Sequence, residues 1–394
     1  MLGLGAFGLA GALTLAAFAT PARRAEAAAT YTPTAAATVV ARVPTRDPDE
    51  LSARRTLAAA PDRVELAIEL ARADIRRYRA LSDPRFLGRA QATLAPWWGL
   101  AEPPHDVLLL RATIRQSLHD FDGARADLDR AVAQEPRDPQ AQLTRAVVAT
   151  ITADYARARA SCAAVAGLAG PLVAAACDAP LDAIAGKTDE AYARLTQVLA
   201  TARGADAGVR GWARTALAEL ALVRGDTGAA AGHLRVALTL DATDAYARNL
   251  LADVMMLDGH AAEASALLAG FEAIDSHLVR RAIAEHAIHG PDAAKLVGAM
   301  RERIAAAATR GDRIHLREEA RFALAVDHDP GAALRLARDN WSVQKELADA
   351  RLLAEAAVAA RDPEAARPVL VWARTNGLRD AQLERHLAQL EIHP

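Results

Sequence analysis

The chain has 394 residues, 52% of them hydrophobic and 4% aromatic, with a formal net charge of −2. Its acidic and basic residues alternate and form no blocks, which is the pattern of solvated helix faces and excludes a basic nucleic-acid footprint. Alanine, leucine and arginine dominate, and Lys187, Lys295 and Lys345 are the only lysines. These are good helix formers, so the expected fold class is all-α.

Residues 1–19 carry no charge, and Leu2 to Ala19 is an apolar run rich in Gly, Ala and Leu. Ala17-Phe18-Ala19 and Ala27-Ala28-Ala29 are small-x-small patterns of the kind a leader peptidase cuts. No basic residue precedes the run, while Arg23 and Arg24 follow it. Two readings stay open: a cleaved secretory signal, giving an exported, periplasmic protein, or an uncleaved anchor, since 18 to 20 apolar residues can just span a bilayer. Residues 20–50 are Ala, Thr, Pro and Arg without periodicity and read as a disordered linker, with order beginning near Asp47-Pro48-Asp49.

Residues 51–104 predict a helical hairpin, from Pro61 to Arg79 and from Asp83 to about Pro96. Asp83-Pro84 supplies a cap and a first-turn proline. Trp97-Trp98 closes the hairpin, and Pro96, Pro103 and Pro104 prevent continuation. Beyond it, one short pattern recurs. Phe121, Tyr155, Thr227 and Ala261 are each followed three positions later by alanine (Ala124, Ala158, Ala230, Ala264), between two apolar helical stretches. Alanine lets helices approach closely, and a period of about 34 residues signals a solenoid of stacked hairpins.

From residue 105 to 275 the units are regular. One runs from His105 through Leu108, Ala112, Phe121, Ala124, Leu128, Ala131 and Pro136. Another runs from Pro139 through Ala146, Tyr155, Ala158 and Cys162. A third starts at Leu172, with Ala179, Gly186, Ala191 and Leu195, and Pro180 is expected to interrupt its first helix. Units from Gly211 and Ala245 start 34 residues apart. Residues 276–394 hold divergent units: a helical stretch from Ser276 to Arg310 with Gly290-Pro291 as its turn, a hairpin around Asp329-Pro330, and a unit from Leu347. Gly377 ends that unit. Asp380 then caps a final helix with Leu383, Leu387 and Leu390 on one side, as a capping element requires.

This spacing of small, alanine, apolar and proline positions resembles the tetratricopeptide repeat family over roughly residues 60–390. The resemblance implies a right-handed α-α superhelix of about eight to nine hairpins with a C-terminal capping helix. One departure is Arg115, where the family usually has tyrosine. The resemblance also implies a concave face lined by Asp106, Leu109, Thr113 and Gln116, then Gln140, Leu143, Val147 and Thr150. Further along that face come Trp212, Thr215, Glu219 and Leu222, then Tyr246, Asn249, Asp253 and Met256. Trp212 and Tyr246 beside Leu222 and Met256 have the composition of a binding surface. Glu219, Asn249 and Asp253 complete the expected partner-contact set.

Other constellations read as structure. Gly186-Lys187-Thr188 ends like a phosphate loop, but Leu181 stands where the loop needs glycine, so it is an inter-helix turn. Glu285, His286, His289 and Asp292 lie beside a helix-ending Gly-Pro and read as a polar helix end. Asp120, Asp122, Asp127 and Asp129 lack calcium-loop geometry, because the last two fall inside a helix. Cys162 and Cys177 either close a disulfide or are two small buried apolar residues. No nucleophile elbow is present. The expected function is a non-catalytic scaffold that binds a protein or peptide in its groove, with no cofactor, metal or nucleic acid. Alternatives are a membrane-tethered periplasmic assembly factor and an enzyme whose site is built from distant residues.

Overall fold

The computed structural model describes residues 47–81, 83–310 and 315–391, and the leader or anchor at residues 1–19 lies outside them. The chain divides at Leu51 into two units. Of the first, only residues 47–51 are described, the opening of α1 (Pro48–Ala59). All that follows concerns residues 52–394.

Every regular element among the described residues is a helix, and helices pair in sequence. The first hairpin is α2 (Val64–Leu81) with α3 (Arg85–Thr93), followed by the short α4 (Ala95–Trp98). Then come α5 (His105–Ser117) with α6 (Phe121–Gln134), and α7 (Pro139–Ile151) with α8 (Tyr155–Ala169). Next are α9 (Pro171–Ile184) with α10 (Thr188–Thr201), α11 (Ala207–Val223) with α12 (Thr227–Leu240), and α13 (Ala245–Leu257) with α14 (Ala261–Leu268). The divergent part holds α15 (Asp275–Ala287) with α16 (Ala293–Arg310), α17 (Leu316–Ala325) with α18 (Pro330–Val343), and α19 (Leu347–Ala360) with α20 (Pro363–Asn376). The terminal helix is α21 (Ala381–Gln389). This is a tetratricopeptide-like solenoid of nine hairpins among the described residues.

The local chemistry repeats as faithfully as the helices. Asp120, Asp154, Asp226, Asp329 and Asp362 each cap the second helix of a hairpin by accepting a backbone N–H three residues on, at 2.8–3.2 Å. Such a cap contributes about 1 kcal/mol. The residue before the cap, or its equivalent, is left-handed in every one of these turns and in three others: His119, Ala153, Gly186, Gly225, Gly259, His289, His328 and Arg361. Ala124, Ala158, Ala230 and Ala264 are all fully buried. Each lets the second helix of its hairpin lie close against its neighbours.

The core is a relay of small clusters, each shared between neighbouring hairpins. Leu108, Phe121 and Leu128 meet Ala141 and Val148 of the next hairpin, for example. Cys162 and Cys177 are joined as a disulfide between α8 and α9, Cα to Cα 5.6 Å, inside such a cluster with Ala146, Ala158 and Leu181. The expected break at Pro180 does not occur, and α9 runs through it to Ile184. Nearly every side of α9 is buried, and this packing outweighs the missing amide hydrogen bond that would break an exposed helix.

The C-terminal hairpins do not simply extend the stack. The Lys345 amide donates to the Ile151 carbonyl at 2.8 Å, and Trp372 Nε1 donates to Tyr155 Oη at 2.7 Å. Ile184 enters the largest core cluster beside Leu353, Val369 and Leu370, and Leu347 packs on the α9–α11 cluster. Trp341 and Trp372 meet edge to face at 5.3 Å within that largest cluster. A small rotation accumulates at each joint of a solenoid. Here it brings α18–α21 back onto the turn ends of the third, fourth and fifth hairpins.

Candidate functional site

The first helices of successive hairpins form the inner wall, and the return of the C-terminal hairpins divides that wall into differently used stretches. In the middle stretch, Tyr246 Oη donates to Glu219 Oε1. Asn249 Nδ2 donates to Ser276 Oγ at 2.9 Å. Asp253 accepts from Arg280 at 2.9 and 3.0 Å and from Arg321 at 2.9 Å, the latter 68 residues away on α17. Burial alone would raise the Asp253 carboxyl, but Arg280 and Arg321 outweigh it and hold the group below the usual range.

The remaining nominated residues are dispersed. Leu222 is 3% exposed and belongs to the core with Ala218, Leu234 and Val254, so it offers no surface. This corrects its expected role; the face of α11 that bears it is clamped against α12 and α13. Met256 packs partly buried beside Ala252 and Leu268. Trp212 and Tyr246 stay open, 37% and 55% exposed, but no ring contact joins them. The structure therefore pairs Tyr246 with Glu219 and ties Asn249 and Asp253 to the next hairpins. It does not assemble one aromatic patch.

Glu219 titrates high. Burial pushes its carboxyl up to about 7, assisted by Glu346 and opposed by the Tyr246 hydrogen bond and Arg351. An ordinary glutamate titrates near 4.5. A carboxyl raised in the folded state contributes stability that is complete below the unfolded value and is lost as pH rises through the folded one. Stability should therefore fall between about pH 4.5 and 7, and Glu219→Gln should flatten that part of the profile. Thermal midpoints of both proteins across this range test it; parallel curves would refute the assignment.

Further in, a chamber of about 310 Å³ lies between the turn ends of the early hairpins and the returning helices, lined by Tyr78, Gln116, His119, Ser276, Arg317 and Gln344. Its strongest charge is already engaged: Arg317 bonds Asp349 at 2.6 Å and pairs with Glu346. Burial lowers the His119 imidazole, and Arg317 lowers it further.

The open stretch is at the N-terminal end. The first helices α2, α5 and α7 bound a hollow of about 750 Å³. Its floor is Ile68, Ile75 and Leu109, and Asp106, Thr113 and Gln140 from the expected concave set also line it. The opposite wall is α2, which presents Arg72, Arg76 and Arg79. Arg72 pairs with Asp106 at 2.6 Å, while Arg76 and Arg79 have no carboxylate partner among the described residues. The family spacing assigned no concave positions to α2, so these arginines were missed. Their i, i+4, i+7 spacing on one helix face was the available signal.

Glu285 is buried, bonded by Ser265 Oγ and by the Asp292 amide at 3.3 Å, as a structural helix end. Among the described residues no group of three metal-ligating side chains comes together, and no helix is long and apolar enough to cross a membrane.

The fold defined by these hairpins is a tetratricopeptide-like solenoid, with an open hollow at its N-terminal end. By sequence the chain matches no protein-family model and no curated protein. Solved structures it is similar to include a chain of the APC/C hetero-tetramer Cut9-Hcn1 (13% identity, TM-score 0.47, 77% of this chain and 59% of that one). The chain thus spans less than two thirds of that relative's length. A tetratricopeptide repeat protein from Parabacteroides merdae (14%, 0.36, 74% and 98%) and human IFIT1 as a dimer with m7Gppp-AAAA (10%, 0.46, 83% and 86%) are also similar. At these values the likenesses carry no argument about partner or activity.

Proposed function

We infer that the protein is a non-catalytic scaffold that holds an extended segment of a partner protein in the hollow between α2, α5 and α7. The observation that carries this reading is the contrast along one wall. At the N-terminal end the wall is open and two of its three arginines, Arg76 and Arg79, lack carboxylate partners among the described residues, whereas at Asn249 and Asp253 the chain's own residues fill the hydrogen-bonding positions. Photo-crosslinking in native cells tests it, with the reactive group placed at Thr113 in the hollow or at exposed Val236 on α12. Adducts to a protein partner are expected from Thr113 and not from Val236. Adducts from Trp212 or Tyr246 with none from Thr113 would move the site to the middle of the wall and overturn the assignment.

The working compartment belongs to the same proposal. A disulfide buried in a hairpin joint and the apolar run at residues 2–19 support export to an oxidising space, the periplasm. Fractionation with N-terminal sequencing separates a cleaved leader from a retained inner-membrane anchor. Full-length chain in the cytosol with two free thiols would end the export reading.

A further inference from the structure

The hollow between α2, α5 and α7 has polarity along its length. At the end where these first helices begin stand Glu65 of α2, Asp106 of α5, Glu135, which follows α6, and Asp138, the cap of α7. Two of these are occupied. Asp106 is held by Arg72 at 2.6 Å, and Asp138 accepts from the Gln140 amide and meets His105 Nε2 at 2.7 Å. Glu135 lies 3.9 Å from His105, and Glu65 has no cationic partner among the described residues. At the opposite end, where α2 finishes, Arg76 and Arg79 are exposed and lack carboxylate partners. Between the two ends the floor is apolar: Ile68, Ile75 and Leu109.

We propose that this hollow recognises an amphoteric peptide segment in extended form, with a basic residue at the Glu65–Glu135 end, an acidic residue at the Arg76–Arg79 end and apolar side chains between. The proposal rests on the groove reading above and adds the partner's chemistry. The lengths agree. Glu65 and Arg76 are eleven residues apart on α2, a rise of about 16 Å at ~1.5 Å per residue. An extended chain covers that distance in about five residues at ~3.3 Å each. Guanidinium forks suit a carboxylate better than an ammonium would, so the arginine end sets the orientation. A uniformly acidic segment would meet Glu65 and Glu135, and a uniformly basic one would meet Arg76 and Arg79. Like-charge contacts of this kind exclude wrong partners.

The probe is dye-labelled acetyl-Lys-Ala-Leu-Ala-Leu-Glu-amide, read by fluorescence anisotropy on the full chain at low salt. Two controls carry Glu at both ends or Lys at both ends. The amphoteric peptide is expected to bind at least tenfold tighter than either control. The double variant Arg76→Glu with Arg79→Glu should lose that binding tenfold or more and turn its preference to the all-Lys peptide, with an unchanged circular-dichroism melt. All-Glu peptide binding as tightly as the amphoteric one would overturn the dipolar assignment. So would equal amphoteric binding by wild type and double variant, which would leave the charges serving only the helix dipoles. Gln140→Trp, which fills the hollow from an exposed position in its lining, separates the two levels. If it abolishes the Thr113 crosslink while the arginine variant preserves it, the groove reading stands and the amphoteric one falls. If neither variant changes the crosslink, the groove reading itself fails.

Discussion

Asp127→Ala should destabilise the protein by about 3–5 kcal/mol, the usual result of stranding one partner of a buried ion pair. Asp127 is 1% exposed and Arg111 is 4% exposed. The guanidinium meets the carboxylate through two bonds, Nε to Oδ2 at 2.8 Å and Nη2 to Oδ1 at 2.6 Å. Arg115 adds a third at 2.8 Å and also bonds the Gly123 carbonyl at 3.2 Å. Arg111 reaches the Trp98 carbonyl as well and lies 5.9 Å from the Trp98 ring, so the cluster pins α4 and the first hairpin to the second. Removing the carboxylate leaves a buried guanidinium with nothing to neutralise it. Asp127→Asn should recover little, since one of the two accepting oxygens becomes an NH2 donor facing a guanidinium and the charge is lost. Arg115→Leu should cost less, because Arg115 is partly exposed and its loss leaves the Arg111–Asp127 pair intact. Urea unfolding of the three variants measures this; a loss below about 1 kcal/mol for Asp127→Ala would mean that the pair contributes no more than a surface one.

Gly186→Ala should cost about 2–5 kcal/mol, from roughly 1–2 for a left-handed alanine and 1–3 for overpacking. Gly186 has φ +73°, and a Cβ there would collide with the Gly377 carbonyl, far inside the 3.0 Å that real Cβ atoms keep. Backbone cannot rotate away as a side chain can, so the docking of the α20–α21 junction on the α9–α10 turn has to loosen. Gly259 is the matched control. It occupies the corresponding turn with φ +79° and has open space around its Cβ position. Gly259→Ala should show only the conformational cost, about 1–2 kcal/mol. The difference between the two melts measures the return of the C-terminal hairpins directly. Hydrogen exchange should localise it, with faster exchange at the Lys345 amide in Gly186→Ala alone. Equal losses in the two variants would show that the return contributes nothing to stability.

Much of the site was written at one unit's distance. Asp106, Thr113 and Gln140 line the hollow where the repeat spacing places concave positions, because that spacing applies to any helix with a neighbour on each side. The arginines of α2 escaped because the first hairpin lacks the repeat's landmarks. Glu219 and Tyr246 meet through a hydrogen bond, but the high titration of the Glu219 carboxyl comes from burial and also depends on Glu346 and Arg351, more than a hundred residues from it. Leu222 shows the opposite failure: its position in the unit suggested surface, and the closeness of α12 and α13 buries it.

The order of helices, their capping aspartates and the buried alanines of each joint follow from residues within one or two hairpins of each other. Periodicity and capping chemistry are local forces, so they leave a local signature in the amino-acid order. Whether the inner wall stays open is a different kind of quantity. It is the sum of the small rotations at the joints between hairpins, and it is settled by pairs such as Tyr155 with Trp372 and Ile184 with Leu353, which share no spacing rule. Only the folded chain decides which part of its groove it fills for itself and which part it leaves to another molecule.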